Sequence, residues 1–252
     1  MITDTFDVAT EAVISPEKVY GDHKALCDIC IVTFSNQVIS EIINKFECIK
    51  IAEIQTSNGL IPCYKLNYKG KDIAFYMTMI GSACAGACIE ETRCLIGAKK
   101  YIMFGACGCL DKDVTAGKVI VPTFAYRDEG LSYHYAKPMD YIKIKNADFV
   151  AAFFKECGIP YVTGKTWTTD AIYRETRGNS EKRKSEGCIA VEMESAGVQS
   201  VCDFRNIEFY NFLIGGDLLD SPEWDRRILG DEEERTHQIK NFYIALELAL
   251  KI

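Results

Sequence analysis

Short apolar runs rich in β-branched and aromatic residues alternate with segments whose apolar positions recur at helical spacing, over most of the chain. That alternation predicts repeated strand-helix units, in which a largely parallel or mixed sheet is covered by helices. Strands are predicted at Asp28 to Phe34, Pro62 to Tyr68, Asp72 to Met79, Lys100 to Phe104, Lys118 to Pro122, Cys188 to Val191 and Glu208 to Ile214. Helices are predicted at Asn36 to Phe46, Ala83 to Ile96, Ala147 to Cys157, Glu194 to Phe204 and Asp231 to Lys251. Asp231 is placed to cap the last of these, and Glu232, Glu233 and Glu234 put negative charge at the positive end of its dipole. No repeat, low-complexity tract or Pro/Gly/Ser linker divides the chain, so residues 1–252 read as a single domain. The least regular stretch, Thr123 to Lys145, reads as a long polar and aromatic loop of the kind that carries binding groups.

Composition narrows the function. The chain has 252 residues, 48% of them hydrophobic and 26% charged, with a formal net charge of −7. An acidic balance gives no support to a groove that tracks nucleic-acid phosphates, so the expected partner is a small molecule. No apolar run is long enough to span a membrane, and the N-terminus lacks a basic start and a hydrophobic run, so a cytoplasmic protein is expected. The 12 cysteines lie in apolar strand-like and helix-like segments and read as reduced packing residues. Cys27 and Cys30 form a C-x-x-C without a second pair, so no metal site is expected.

The usual loops of kinases, dinucleotide enzymes and serine hydrolases are missing, but several groups suit recognition of a polar ring on a sugar. Gly105, Ala106 and Gly108 follow a strand, where small residues form a turn that lets backbone approach a ligand. Arg127 and His134 lie in a run of charges, a hydroxyl and aromatic faces; the alternative is a loop held by its own salt bridges. Glu194, at a strand-to-helix junction, could accept both protons of a ribose diol, or simply cap the helix. Asp217, behind Gly215 and Gly216 at the end of the most apolar strand, could be desolvated enough to donate a proton to a leaving group, or could cap a turn.

The order of these pieces, with Thr168-Thr169-Asp170-x-x-Tyr173 and the VEMESA run from Val191 to Ala196, resembles the nucleoside phosphorylase and nucleosidase superfamily over about residues 28–220. The resemblance implies an α/β, three-layer fold with a mixed, barrel-like central sheet flanked by helices, assembled as a homodimer or higher homo-oligomer. It further implies that Met193 and Glu194 hold the ribose, that Thr168, Thr169 and Tyr173 lie near the base, and that Asp217 is the acid facing a purine. Arg127, His134, Arg93 and Arg174 are then candidates for a lid or a rebuilt anion site. The chain departs from the phosphorolytic branches where their phosphate ligands belong: Met103 and Ala106 replace an arginine and a hydroxyl, Phe34-Ser35-Asn36 replaces an early phosphate loop, and Thr56 to Gly59 is neutral. A buried dianion without positive partners is heavily penalised. The expected reaction is therefore hydrolysis of a nucleoside, purine-like base favoured, with no cofactor. The alternatives are phosphorolysis with inorganic phosphate as co-substrate, a non-catalytic nucleoside-binding protein, and a structural subunit with a vestigial pocket.

Overall fold

The computed structural model describes residues 1–22 and 24–252, with the side chain of Glu234 outside the described set. Among the described residues the strands are β1 Ile29–Thr33, β2 Cys48–Thr56, β3 Gly59–Tyr68, β4 Lys71–Met77, β5 Lys100–Cys109, β6 Val119–Asp128, β7 Tyr141–Lys143, β8 Tyr161–Thr169, β9 Cys188–Glu192 and β10 Glu208–Leu218. The helices are α1 Pro16–Tyr20, α2 Asn36–Lys45, α3 Ser82–Ile96, α4 Lys112–Thr115, α5 Ser132–Tyr135, α6 Ala147–Glu156, α7 Arg177–Ser185, α8 Ser195–Arg205 and α9 Glu232–Ala249.

All ten strands belong to one mixed sheet, in the order β10-β6-β8-β9-β5-β1-β4-β3-β2, with β7 on β6. Because β10 also pairs with β5, strands β5, β10, β6, β8 and β9 close into a ring, and β1, β4, β3 and β2 extend from it as a tail. The expected α/β architecture with a barrel-like mixed sheet is the one found.

Alternation along the central strands builds the layers. Ile29 and Ile31 of β1, Phe75 of β4, Phe104 of β5 and Phe212 of β10 pack on one face with Phe242 and Leu246 of α9 and Phe154 of α6. Cys30, Val32, Tyr76, Tyr101 and Met103 pack on the other with Ile89 of α3 and Val201 of α8. Strands buried on both faces read as unbroken apolar runs, which is why β1 and β5 are plain in the sequence. Phe104 stacks on Phe212 with ring centroids 5.6 Å apart, and Phe242 meets Phe75 edge-on at 5.3 Å.

The cysteines are free, and all but Cys48, Cys84 and Cys157 are buried. Among the described residues no cluster of His, Cys, Asp or Glu is placed to hold a metal, and no helix is long and apolar enough to cross a membrane.

Several expectations need correction. β2, β7, β8 and α7 are absent from the sequence reading. β2 is half-exposed at the end of the sheet, β8 carries hydroxyls rather than aliphatics, and α7 has no apolar stripe. What starts α7 is Thr176, whose Oγ1 accepts the Asn179 N–H, and what suits its end is the basic run Lys182 to Lys184. Residues 123–145 are not a long loop: β6 runs on to Asp128, α5 follows, and β7 pairs back onto β6. Gly105, Ala106 and Gly108 are not in a turn, because β5 continues to Cys109. Asp231 occupies the N-cap position of α9, but its carboxylate accepts Arg226 Nη2 at 3.0 Å instead of capping. Glu232 pairs with Arg235, and the side chain of Glu234 lies outside the described residues.

One irregularity positions the site. β10 runs parallel to β5 in register up to Gly215 opposite Cys107, then shifts so that Asp217 lies opposite Gly108. The extra residue, Gly216, makes a bulge that re-aims Asp217. A side chain at Gly215 has no room, since its Cβ would lie 2.4 Å from Cys109 Sγ. Gly215→Ala is therefore expected to cost about 1–3 kcal/mol of stability through overpacking. Cys109→Ala in the same chain should restore most of it; equal denaturant midpoints for the single and double variants would reject this packing account.

Candidate active site

β9 ends at Glu192 and α8 begins at Ser195, which leaves Met193 and Glu194 as the connection between them. Glu194 takes the N-cap position without capping. Glu192 does that work: its Oε2 accepts the N–H groups of Glu194 at 2.8 Å and Ser195 at 2.7 Å. Its Oε1 accepts the hydroxyls of Thr166, at 3.1 Å, and of Thr168 on the neighbouring strand β8. Thr168 Oγ1 accepts in turn from the Ala196 N–H at 3.1 Å.

Free of the helix, the Glu194 carboxylate reaches the start of α3, where Oε1 accepts the Gly81 N–H at 2.7 Å. Ser82 Oγ donates to the Met193 carbonyl at 2.9 Å, so the N-termini of α3 and α8 are tied together. Burial, reinforced by the charge of Glu192 and partly offset by the Gly81 N–H, pushes the Glu194 carboxyl up to about 8.

Glu194 and Asp217 open on one cavity of about 1240 Å³, with Gly105, Ala106 and Gly108 between them on its wall. A side chain at Gly108 would come within 2.9 Å of Val191 and 3.4 Å of Asp217 Oδ1, so the absence of a Cβ keeps this wall open. Asp217 Oδ2 accepts the indole N–H of Trp224 at 2.7 Å. Burial raises the Asp217 carboxyl, and the indole bond works against it.

The remaining candidates divide sharply. Met193 and Tyr173 line the cavity, Tyr173 with a side chain 96% exposed at its edge. Thr168 and Thr169 do not; both are buried, Thr168 bonded as above and Thr169 accepting the Ala171 N–H at 3.2 Å. Arg127 is buried and committed to its own segment: Nη1 donates to the Lys137 carbonyl at 2.6 Å and Nε to Ser132 Oγ at 2.7 Å, with the guanidinium 4.2 Å from the Tyr133 ring centroid. It shapes residues 127–140 and offers no free charge to an anion. His134 is exposed on α5, outside the cavity wall. Arg93 pairs with Glu17 at 2.7 Å and Glu90 at 3.5 Å, and Arg174 is exposed outside the wall. Asp170, from the same motif as Thr168, accepts the Gly130 N–H at 2.9 Å and so fastens the Arg127 segment to the end of β8.

Sequence reasoning misses Glu175 and Trp224. Glu175 follows the 3-10 turn Ile172–Arg174 and lines the cavity; burial, and then the charge of Asp217, push it up to about 7. Within R-E-T-R it carries no signal that separates it from any surface glutamate. The cavity's basic side chains have partners: Arg177 donates to the Ser221 and Pro222 carbonyls and Lys184 pairs with Asp220 at 3.0 Å, all on the cavity wall, and Arg235 pairs with Glu232 at 3.0 Å.

Thr168→Val removes the hydroxyl that joins Glu192 to the first turn of α8. It should cost about 1–3 kcal/mol, the penalty for buried polar groups left unpaired. Urea denaturation checks this, and unchanged stability would assign Thr168 some other role.

Known proteins share the sequence family and the fold. The family model described as "Phosphorylase superfamily" matches residues 28–251. The chain is 26% identical over 188 residues, 73% of its length and 78% of the relative's, to a purine nucleoside phosphorylase DeoD-type of Exiguobacterium sp.. A Bacillus cytotoxicus protein of the same description is 26% identical over 187 residues, with the same coverage of each chain. Among solved structures, a futalosine hydrolase mutant of Helicobacter pylori shares the fold with a TM-score of 0.69 at 18% identity, covering 90% of this chain and 100% of that one. A Campylobacter jejuni 5'-methylthioadenosine/S-adenosyl homocysteine nucleosidase gives a TM-score of 0.67 at 18% identity, covering 89% and 97%. The chain belongs to the phosphorylase superfamily and is an enzyme of the nucleoside phosphorylase and nucleosidase type.

Proposed function

We propose that this protein hydrolyses the N-glycosidic bond of a purine nucleoside, releasing free base and ribose. The observation that carries the reading is the single cavity onto which Glu194 and Asp217 both open. Glu194, with one oxygen on the Gly81 N–H, accepts the sugar hydroxyls, while the wall at Gly105 to Gly108 lets the ring lie close to backbone. Asp217 delivers its proton to the ring nitrogen of the departing base, which takes the electron pair of the broken C1'–N bond. Water adds its oxygen to C1' and loses a proton to solvent. The barrier falls through leaving-group protonation and through carboxylate charge held near the developing cation.

Relatives do not decide the nucleophile, since those matched by sequence are named phosphorylases and the two matched by structure are named hydrolase and nucleosidase. The cavity wall favours water. Ala106 and Gly105 bring no donor side chain, and Met103 is buried among α3 and α8 residues. A nucleoside panel scored with and without inorganic phosphate tests the choice. Free ribose appearing in phosphate-free buffer is the expected result; strict phosphate dependence with ribose 1-phosphate as product would replace hydrolysis by phosphorolysis.

Protonation gives a second test. Glu194 must be ionised to accept two hydroxyl protons, yet its carboxyl is pushed up to about 8. Nucleoside binding therefore expels a proton below that pH, and affinity should strengthen as pH rises, by up to about tenfold per unit, levelling above about 8. Calorimetry across pH, in buffers of different ionisation enthalpy, measures it. Glu194→Gln should abolish the dependence and weaken binding about 10–100-fold, the worth of a charge-assisted hydrogen bond.

A further inference from the structure

Glu175 has no part in the reaction outlined above, and nothing in the fold requires it. It follows the 3-10 turn between β8 and α7, half-buried, and no hydrogen bond to its carboxylate occurs among the described residues. Arg177, two residues further on, is turned away onto the carbonyls of Ser221 and Pro222, and the adjacent Arg174 is exposed outside the cavity wall. Glu175 instead lines the same cavity as Asp217, whose charge acts on it directly. Burial and the charge of Asp217 both oppose ionisation of Glu175, so one proton on the pair relieves the repulsion between them. That state offers a ligand one hydrogen-bond donor and one acceptor in the same cavity.

We propose that Glu175 is a base-reading residue that, with Asp217, selects nucleosides whose leaving base presents a ring-nitrogen acceptor beside an exocyclic amino group. The inference rests on the glycosidic-cleavage reading of this cavity and names the substrate class for it. A 6-aminopurine has that pattern: N7 accepts the proton that Asp217 supplies, and the 6-amino group donates to ionised Glu175. A 6-oxopurine puts a second acceptor at the same place, opposite the Glu175 carboxylate, and leaves both unpaired. Sites built to hydrogen-bond one such group discriminate strongly against analogues that lack it. Burial and the Asp217 charge push the Glu175 carboxyl up to about 7, and a proton held on Asp217 together with an amino group donating to Glu175 would both favour its ionised form.

The experiment compares kcat/KM for adenosine and inosine, scored by released base, in the wild-type enzyme, Glu175→Gln and Glu175→Asp. Wild type should favour adenosine. Glu175→Gln can turn its amide N–H towards a 6-oxo group, and should shift the ratio at least about tenfold towards inosine, which corresponds to roughly 1.4 kcal/mol. Glu175→Asp keeps the charge and should keep the preference. A merely structural role would lower both substrates together. Binding of free adenine and hypoxanthine by calorimetry provides the same ratio where a variant turns over too slowly. An active wild type whose ratio stays within twofold in Glu175→Gln overturns the inference and leaves the glycosidic reading standing. A wild type that releases no base from either nucleoside removes that reading and this inference with it.

Discussion

Glu192 holds this site together. A buried carboxylate is tolerated only when its lone pairs are met by donors, and this one accepts two backbone N–H groups at the start of α8 and two hydroxyls from β8. Those four bonds fix the angle at which β9 passes into α8. They also relieve Glu194 of the capping role its position would otherwise impose, so its carboxylate can cross to Gly81 and face the cavity. The cost of this arrangement is visible in Glu194, because the neighbouring charge adds to burial in opposing its ionisation. Removing Glu192 would leave four donors unmet and let the junction relax, so both the helix and the cavity-facing Glu194 carboxyl depend on it.

The second constraint is the bulge. A parallel pair in strict register would send alternate residues of β10 to fixed faces, and Asp217 would follow from that count. The extra residue at Gly216 resets it opposite Gly108, where the missing side chain leaves space beside Oδ1. Two strands of the closed ring thus deliver an acid from β10 and an open wall from β5 to the same place. The connection after β8 adds Glu175, and the connection after β9 adds Glu194. All these groups sit at or just beyond strand ends, where a sheet can hold side chains without sacrificing its core.

How much of this is legible beforehand follows from what each residue does. β1, β5 and the early part of β10 declare themselves because both faces are buried. β8 does not, because Thr166 and Thr168 point hydroxyls at Glu192, and a polar strand serving a buried carboxylate looks like a loop. Glu194 and Asp217 stand out through their neighbours, a strand-to-helix junction and a glycine pair. Arg127 misleads for a related reason: a charge in an aromatic run resembles a ligand contact, whereas here the guanidinium is used up on the carbonyls of its own segment. Glu175 and Trp224 are invisible, since their place comes only from how the segments around Tyr173 and after Asp217 fold over the cavity. In the pair Glu192 and Glu194, sequence picks out the second and overlooks the first, because capping two residues ahead of a helix is settled by geometry.

Charge argues about the nucleophile more strongly than any single missing ligand. Glu175, Glu192, Glu194 and Asp217 all line the cavity, and its cations are held by carbonyls or by other acids. Under the proposed reading, a phosphate dianion entering that space would meet these acids, whose ionised forms repel it. In the proposed hydrolysis water carries no such penalty, and those carboxylates, when ionised, would attract the positive charge developing on a sugar as its bond to a base breaks. A wall of acids thus supports the proposed hydrolysis over phosphorolysis. Re-equipping it for phosphate would take guanidinium groups at Met103 and at the start of α2, where the chain now buries a thioether and uses Ser35 to cap a helix.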